Sequence, residues 1–97
     1  MMTPVDIQQN LHNLKNDVRQ LYKAELKGIF GSFATGKAHE DSDIDLLVDF
    51  AEGATLLDLT GLGNFLEEKL HRKVDIVTPA ALRKELRTQI LGELVAV

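Results

Sequence analysis

Two aspartates one residue apart, Asp43-Ile44-Asp45, follow the pair Gly31-Ser32 after ten intervening residues. In an extended strand alternate side chains share a face, so Asp43 and Asp45 would project together while Ile44 points into a core. Paired carboxylates offer hard oxygen ligands to a divalent cation such as magnesium. A glycine turn lets backbone approach closely, and its amides with a neighbouring hydroxyl can cradle a terminal phosphate. A third acid, Asp75, interrupts the apolar run Val74-Asp75-Ile76-Val77, where an uncompensated buried carboxylate would be costly. The candidate site is therefore Asp43, Asp45 and Asp75 as catalytic and metal-facing acids, with Gly31 and Ser32 toward phosphate.

These residues need a scaffold, and the surrounding pattern supplies one. Thr3 is placed to cap a helix starting at Pro4, with Asp6 completing a capping box. Ile7, Leu11, Leu14, Val18 and Leu21 recur at helical spacing and predict a packed face. Leu26 to Phe30 reads as a short strand leading into the Gly31-Ser32 turn, with a brief helix from Phe33. Ile44 to Phe50 reads as a second strand, and Leu56, Leu59, Leu62, Phe65, Leu66 and Leu70 as the core stripe of a following helix. Lys73 to Thr78 predicts a third strand; if it neighbours the second, all three acids meet. Thr78 is expected to cap a last helix beginning at Pro79, with Val77 and Leu82 as a hydrophobic staple and an end near Gly92. The tail Leu94-Val95-Ala96-Val97 is open to three fates: an edge strand, core completion or a partner surface.

With 97 residues and 44% hydrophobic content, residues 1–97 are expected to form a single domain with an ordinary core. The formal net charge is -4, and nine acids but no Lys or Arg lie from Glu40 to Glu68. Broad duplex nucleic-acid binding is disfavoured by that balance, whereas a nucleotide triphosphate can approach as its metal complex. The chain has no cysteine, so disulfides and thiolate metal sites are excluded. Its lack of a long apolar run and its early acid lead to the expectation of a cytoplasmic protein without a membrane segment.

Two lookalikes are weaker. Gly31, Gly36 and Lys37 imitate a Walker A loop, but Ala38 stands where a metal-binding hydroxyl is required. Asp-Ile-Asp also occurs in metal-dependent glycosyltransferases, for whose nucleotide-sugar domain this chain is short. His39 and His71 lack metal-ligand spacing, and His12 and Tyr22 form no catalytic arrangement.

The joined pattern of Gly31-Ser32, ten residues, Asp43-Ile44-Asp45 and a later Asp75 resembles the polymerase-beta-like nucleotidyltransferase superfamily, especially the minimal nucleotidyltransferases, including MNT-domain antitoxins. The resemblance implies a compact α+β fold with a mixed β-sheet and packed helices. It assigns Gly31 and Ser32 to the nucleotide-phosphate turn, Asp43 and Asp45 to the metal, and Asp75 to the third acid that helps activate an acceptor hydroxyl. Thr35 stands where many minimal members carry Arg, with Lys37 nearby as a substitute charge. Mg2+ and ATP are the implied cofactor and substrate. A separate helical HEPN-domain protein is the implied partner, with a toxin tyrosine as the acceptor of AMP. A nonenzymatic toxin-binding antidote and a substrate-positioning subunit are the competing readings, for which Leu91, Leu94, Val95 and Val97 offer an apolar surface.

Overall fold

The computed structural model describes residues 3–97. Its elements run α1 (Pro4–Tyr22), β1 (Ala24–Phe30), α2 (Ser32–Thr35), β2 (Ile44–Phe50), α3 (Leu56–Leu70), β3 (Val74–Val77), a 3₁₀ turn (Pro79–Ala81), α4 (Lys84–Glu93) and β4 (Val95–Ala96). The sheet order is β3-β2-β1-β4. β1 is antiparallel to both β2 and β4, while β2 and β3 are parallel. This is the expected α+β architecture with a mixed sheet.

Both long helices begin with reciprocal caps that satisfy otherwise unpaired first-turn amides. At α1 the Thr3 hydroxyl accepts from the Asp6 amide at 3.1 Å and Asp6 accepts from the Thr3 amide at 3.0 Å. At α3 Thr55 and Asp58 repeat the arrangement. The two helices contact each other and the sheet, burying Ile7, Leu11 and Val18 from α1 against Leu62, Leu66 and Leu70 from α3. Leu21, expected on that face, is instead 59% exposed. It lies in the last turn, where the adjoining Tyr22 takes the inward contact by meeting Phe65 at 5.4 Å between ring centroids. Leu56 is likewise exposed in the first turn of α3.

The core face of the sheet comes from Ala24, Leu26, Ile29, Ile44, Leu46 and Val48. Ile44, Leu46 and Val48 keep the core face along β2, where Leu47 between them is buried as well, but the phase changes in β1, since Leu26 and Ile29 are three residues apart. The cause is a bulge: Leu26 pairs with Val48 and Gly28 with Leu47, leaving Lys27 as the extra residue. Beyond it, the new register places Phe30 opposite Asp45.

The chain after β3 departs from the expected helix. Thr78 makes no side-chain cap, and Pro79–Ala81 closes a single 3₁₀ turn before Leu82 adopts extended backbone at φ −74°, ψ 128°. A staple between Val77 and Leu82 therefore has no helix to close. The last helix starts at Lys84, after Arg83, and buries none of its residues. The tail becomes an edge strand whose Val95 and Ala96 pair with Ile29 and Gly28, and Val97 packs against the core. A Cβ on Gly28 would lie 2.7 Å from the Val95 carbonyl oxygen and 2.8 Å from Leu94 Cγ, which explains a glycine inside a strand. Gln8 and Lys15 of α1 also donate to the Ala96 and Val97 carbonyls. Among the described residues, no helix is long and apolar enough to cross a membrane.

Candidate active site

The parallel ladder between β2 and β3 decides where the acids stand. The Ile44 amide donates to the Lys73 carbonyl at 2.9 Å, and the register then sets Asp45 beside Asp75. Ile44 is buried in the core, so Asp45 faces the opposite side, half-buried, and Asp75 is exposed next to it on β3. Asp43 is exposed and lies one residue before β2 rather than within it.

Burial raises the Asp45 carboxyl above its usual range, and the charges of Asp75 and then Asp43 push it the same way. The three acids thus share one electrostatic neighbourhood. Among the described residues, no group of three or more His, Cys, Asp or Glu side chains is gathered closely enough to hold a metal ion. The donor chemistry nevertheless fits a hard divalent cation: oxygen ligands only, on neighbouring positions, whose mutual repulsion a cation would offset.

The glycine turn passes directly over this carboxylate. Gly31 adopts φ 73°, ψ −148°, a conformation essentially reserved for glycine. A Cβ added there would land on Asp45 Oδ2. The turn continues into α2, where the amides of Ala34 and Thr35 donate to the Gly31 carbonyl at 3.1 and 3.0 Å. The Thr35 hydroxyl donates to that oxygen as well, at 3.2 Å, so Thr35 helps to close the turn. Phe33 is buried and anchors α2 in the core. The Ser32 hydroxyl is half-buried beside Gly31 and has no hydrogen-bond partner among the described residues.

The segment between turn and acids is held by polar contacts. The His39 amide donates to Ser42 Oγ at 2.9 Å, the Ser42 amide to the His39 carbonyl at 3.0 Å, and the Asp41 amide to His39 Nδ1 at 3.3 Å. His39 is thereby a loop-forming residue, and His71 takes the left-handed position that ends α3. Arg72 escapes sequence reasoning, although its guanidinium donates to carbonyls of this same segment. The available signal was the basic triplet His71-Arg72-Lys73 directly before the strand bearing Asp75. A shallow depression of about 270 Å³ lies here, lined by residues 40–43 and 71–73. Two other hollows lie elsewhere, one by Val5, His12 and Val97 and one by Arg19, Glu25 and Phe50.

Comparison with known proteins agrees with this geometry. The family described as "Nucleotidyltransferase domain" matches residues 11–97. Protein adenylyltransferase MntA of Thermococcus cleftensis is 37% identical over 97 residues, covering 100% of this chain and 98% of the relative. A solved structure described as a minimal nucleotidyltransferase superposes with a TM-score of 0.75 at 42% identity, covering 93% of this chain and 95% of that one. A crystal structure of a toxin-antitoxin with AMP-PNP gives a TM-score of 0.73 at 26% identity, covering 92% and 70% respectively. With its mixed sheet, its glycine turn against Asp45 and these relatives, the chain belongs to the nucleotidyltransferase domain family of enzymes, among the minimal nucleotidyltransferases.

Proposed function

We propose that this chain is a magnesium-dependent protein adenylyltransferase that moves AMP from ATP to a hydroxyl of a partner protein, with residues 1–97 acting as one domain. The observation that carries the reading is the junction of Asp45, its register neighbour Asp75, and the Gly31 turn. Support for an adenylyl group comes from the MntA relative, and support for ATP from the AMP-PNP in the toxin-antitoxin structure.

In this reading Gly31 lets the triphosphate approach the backbone, and the Ser32 hydroxyl donates to a phosphate oxygen. Asp43 and Asp45 hold Mg2+, with Asp75 completing the set. When bound, the metal polarises the α-phosphate and neutralises charge on the departing pyrophosphate. Asp75, the most open position on the neighbouring strand, takes the proton from the acceptor hydroxyl. The hydroxyl oxygen bonds to the α-phosphorus, the bond from that phosphorus to the bridging oxygen breaks, and pyrophosphate leaves. The acids stand on the sheet face away from the core, Asp75 on the edge strand β3 and Asp45 on β2 beside it, so a partner supplies the opposing wall. A HEPN-domain toxin offering a tyrosine is the leading acceptor, in keeping with the family resemblance and the toxin-antitoxin neighbour.

The test combines the chain with the product of its neighbouring gene, or with a HEPN-domain protein where that product is one, together with Mg2+ and ATP labelled at the α-phosphate. Label on a partner tyrosine together with released pyrophosphate supports the reading. Tight binding without label would favour the nonenzymatic antidote, and label only in the presence of another nucleotidyltransferase would favour the positioning subunit.

A further inference from the structure

Arg72 has no assigned chemistry, yet it touches both halves of the site. Its Nη1 lies 2.6 Å from the Glu40 carbonyl, 2.8 Å from the Ser42 carbonyl and 3.4 Å from the His39 carbonyl. Three carbonyl dipoles aimed at one point repel one another unless a cation sits among them, and the guanidinium is that cation. Its guanidinium also lies over the Phe33 ring, with Cζ 5.1 Å from the ring centroid. Phe33 is buried and follows Gly31-Ser32 directly, while Ser42 directly precedes Asp43. One side chain therefore joins the phosphate turn, the acid-bearing segment and the entrance to β3.

We propose that Arg72 is a positioning residue, which sets Asp43 relative to the Gly31-Ser32 turn by gathering the carbonyls of His39, Glu40 and Ser42 beside Phe33. Its catalytic consequence rests on the adenylyl-transfer reading, but its structural consequence does not. A lysine would retain the charge and lose the planar fork of donors that reaches several carbonyls at once. Arg72→Lys thus separates positioning from a mere positive charge near a triphosphate, and Arg72→Ala removes both.

The experiment measures amide hydrogen exchange without nucleotide, and Mn2+ affinity by electron paramagnetic resonance with AMP-PNP present. The expected result is faster exchange at the amides of Asp41, Ser42 and Ile44 in both variants, with α1 and α3 protected as in the parent. Mn2+ affinity is expected to fall by about tenfold to a hundredfold, the usual consequence of losing a group that orients metal ligands. Parental exchange and affinity in Arg72→Lys would overturn the proposal in favour of a charge effect. Faster exchange spread across α1 and α3 would overturn it in favour of general stability. If the parent binds Mn2+ and AMP-PNP but labels no partner, the adenylyl-transfer reading fails while both Arg72 readouts still decide the positioning role.

Discussion

Replacing Gly31 by alanine perturbs the site at its tightest point. The φ 73°, ψ −148° backbone lies in the region that side chains avoid, at a cost of roughly 1–3 kcal/mol. Each kcal/mol lowers the melting temperature of a domain this small by about 4–8 °C. The larger effect is geometric, because the new Cβ would clash with Asp45 Oδ2. Either the carboxylate moves or the turn retreats from it, and a misplacement of about 1 Å costs on the order of a hundredfold in rate. Gly36 is the matched control: its φ is also positive, at 78°, but nothing lies within 4 Å of a Cβ there. Gly36→Ala should lower the melting point yet retain most transfer, whereas Gly31→Ala should lower both. Circular-dichroism melts and transfer of labelled AMP to the partner, run on both variants, measure the difference. A Gly31→Ala variant that transfers at the parental rate, or a Gly36→Ala variant equally inactive, would refute the argument.

Other substitutions probe the remaining groups. Asp43→Asn and Asp45→Asn should each retain the fold and lose metal-dependent transfer by at least tenfold, as expected for a lost metal carboxylate; a magnesium titration that matches the parent in both would remove them from the metal site. Asp75→Asn should slow single-turnover transfer far more than it weakens ATP binding, since amide nitrogen cannot take the acceptor proton; unchanged transfer would dismiss Asp75 as the base. The Asp6 carboxyl is held below its ordinary value by the Thr3 backbone amide and then the Thr3 hydroxyl. A depressed folded value means its stabilisation is complete above the unfolded value of about 3.9 and lost as pH falls through the folded one. Urea melts should accordingly show Asp6→Asn less stable than the parent at pH 7, with the gap closing under acid; a gap independent of pH would contradict the cap assignment.

Local signals carried much of the fold. Thr3-Pro4 opened α1, and the alternation from Ile44 to Phe50 matched β2 to the residue. Long-range pairings were not legible in the same way. That β3 neighbours β2, with Asp75 level with Asp45, was an expectation conditional on strand order; its register depends on contacts about thirty residues apart. Gly28 weakened the case for a strand until the close passage of Leu94 and Val95 supplied its reason. Thr78-Pro79 failed as a helix start because a tight turn can satisfy the same local preferences with two hydrogen bonds. Arg72 was marked only by the basic triplet before β3, and its role was not legible for a related reason: carbonyl partners leave no residue-type signature in a sequence.

The unpaired residue in β1 bears on how the chain tolerates changes of length. Deleting Lys27 would join Leu26 directly to Gly28 and leave the pairings on either side, Leu26 with Val48 and Phe30 with Asp45, formally intact. Losing a residue between Gly28 and Gly31 would instead rotate one face of the strand and draw the turn off the Asp45 carboxylate. Lys27 is therefore the place where this strand can shorten without disturbing the acids. It is not dispensable, because its carbonyl accepts from the Val97 amide at 3.4 Å. Shortening there would exchange one hold on the C-terminal edge for a regular ladder, leaving the site in register and the tail on its pairings with Gly28 and Ile29.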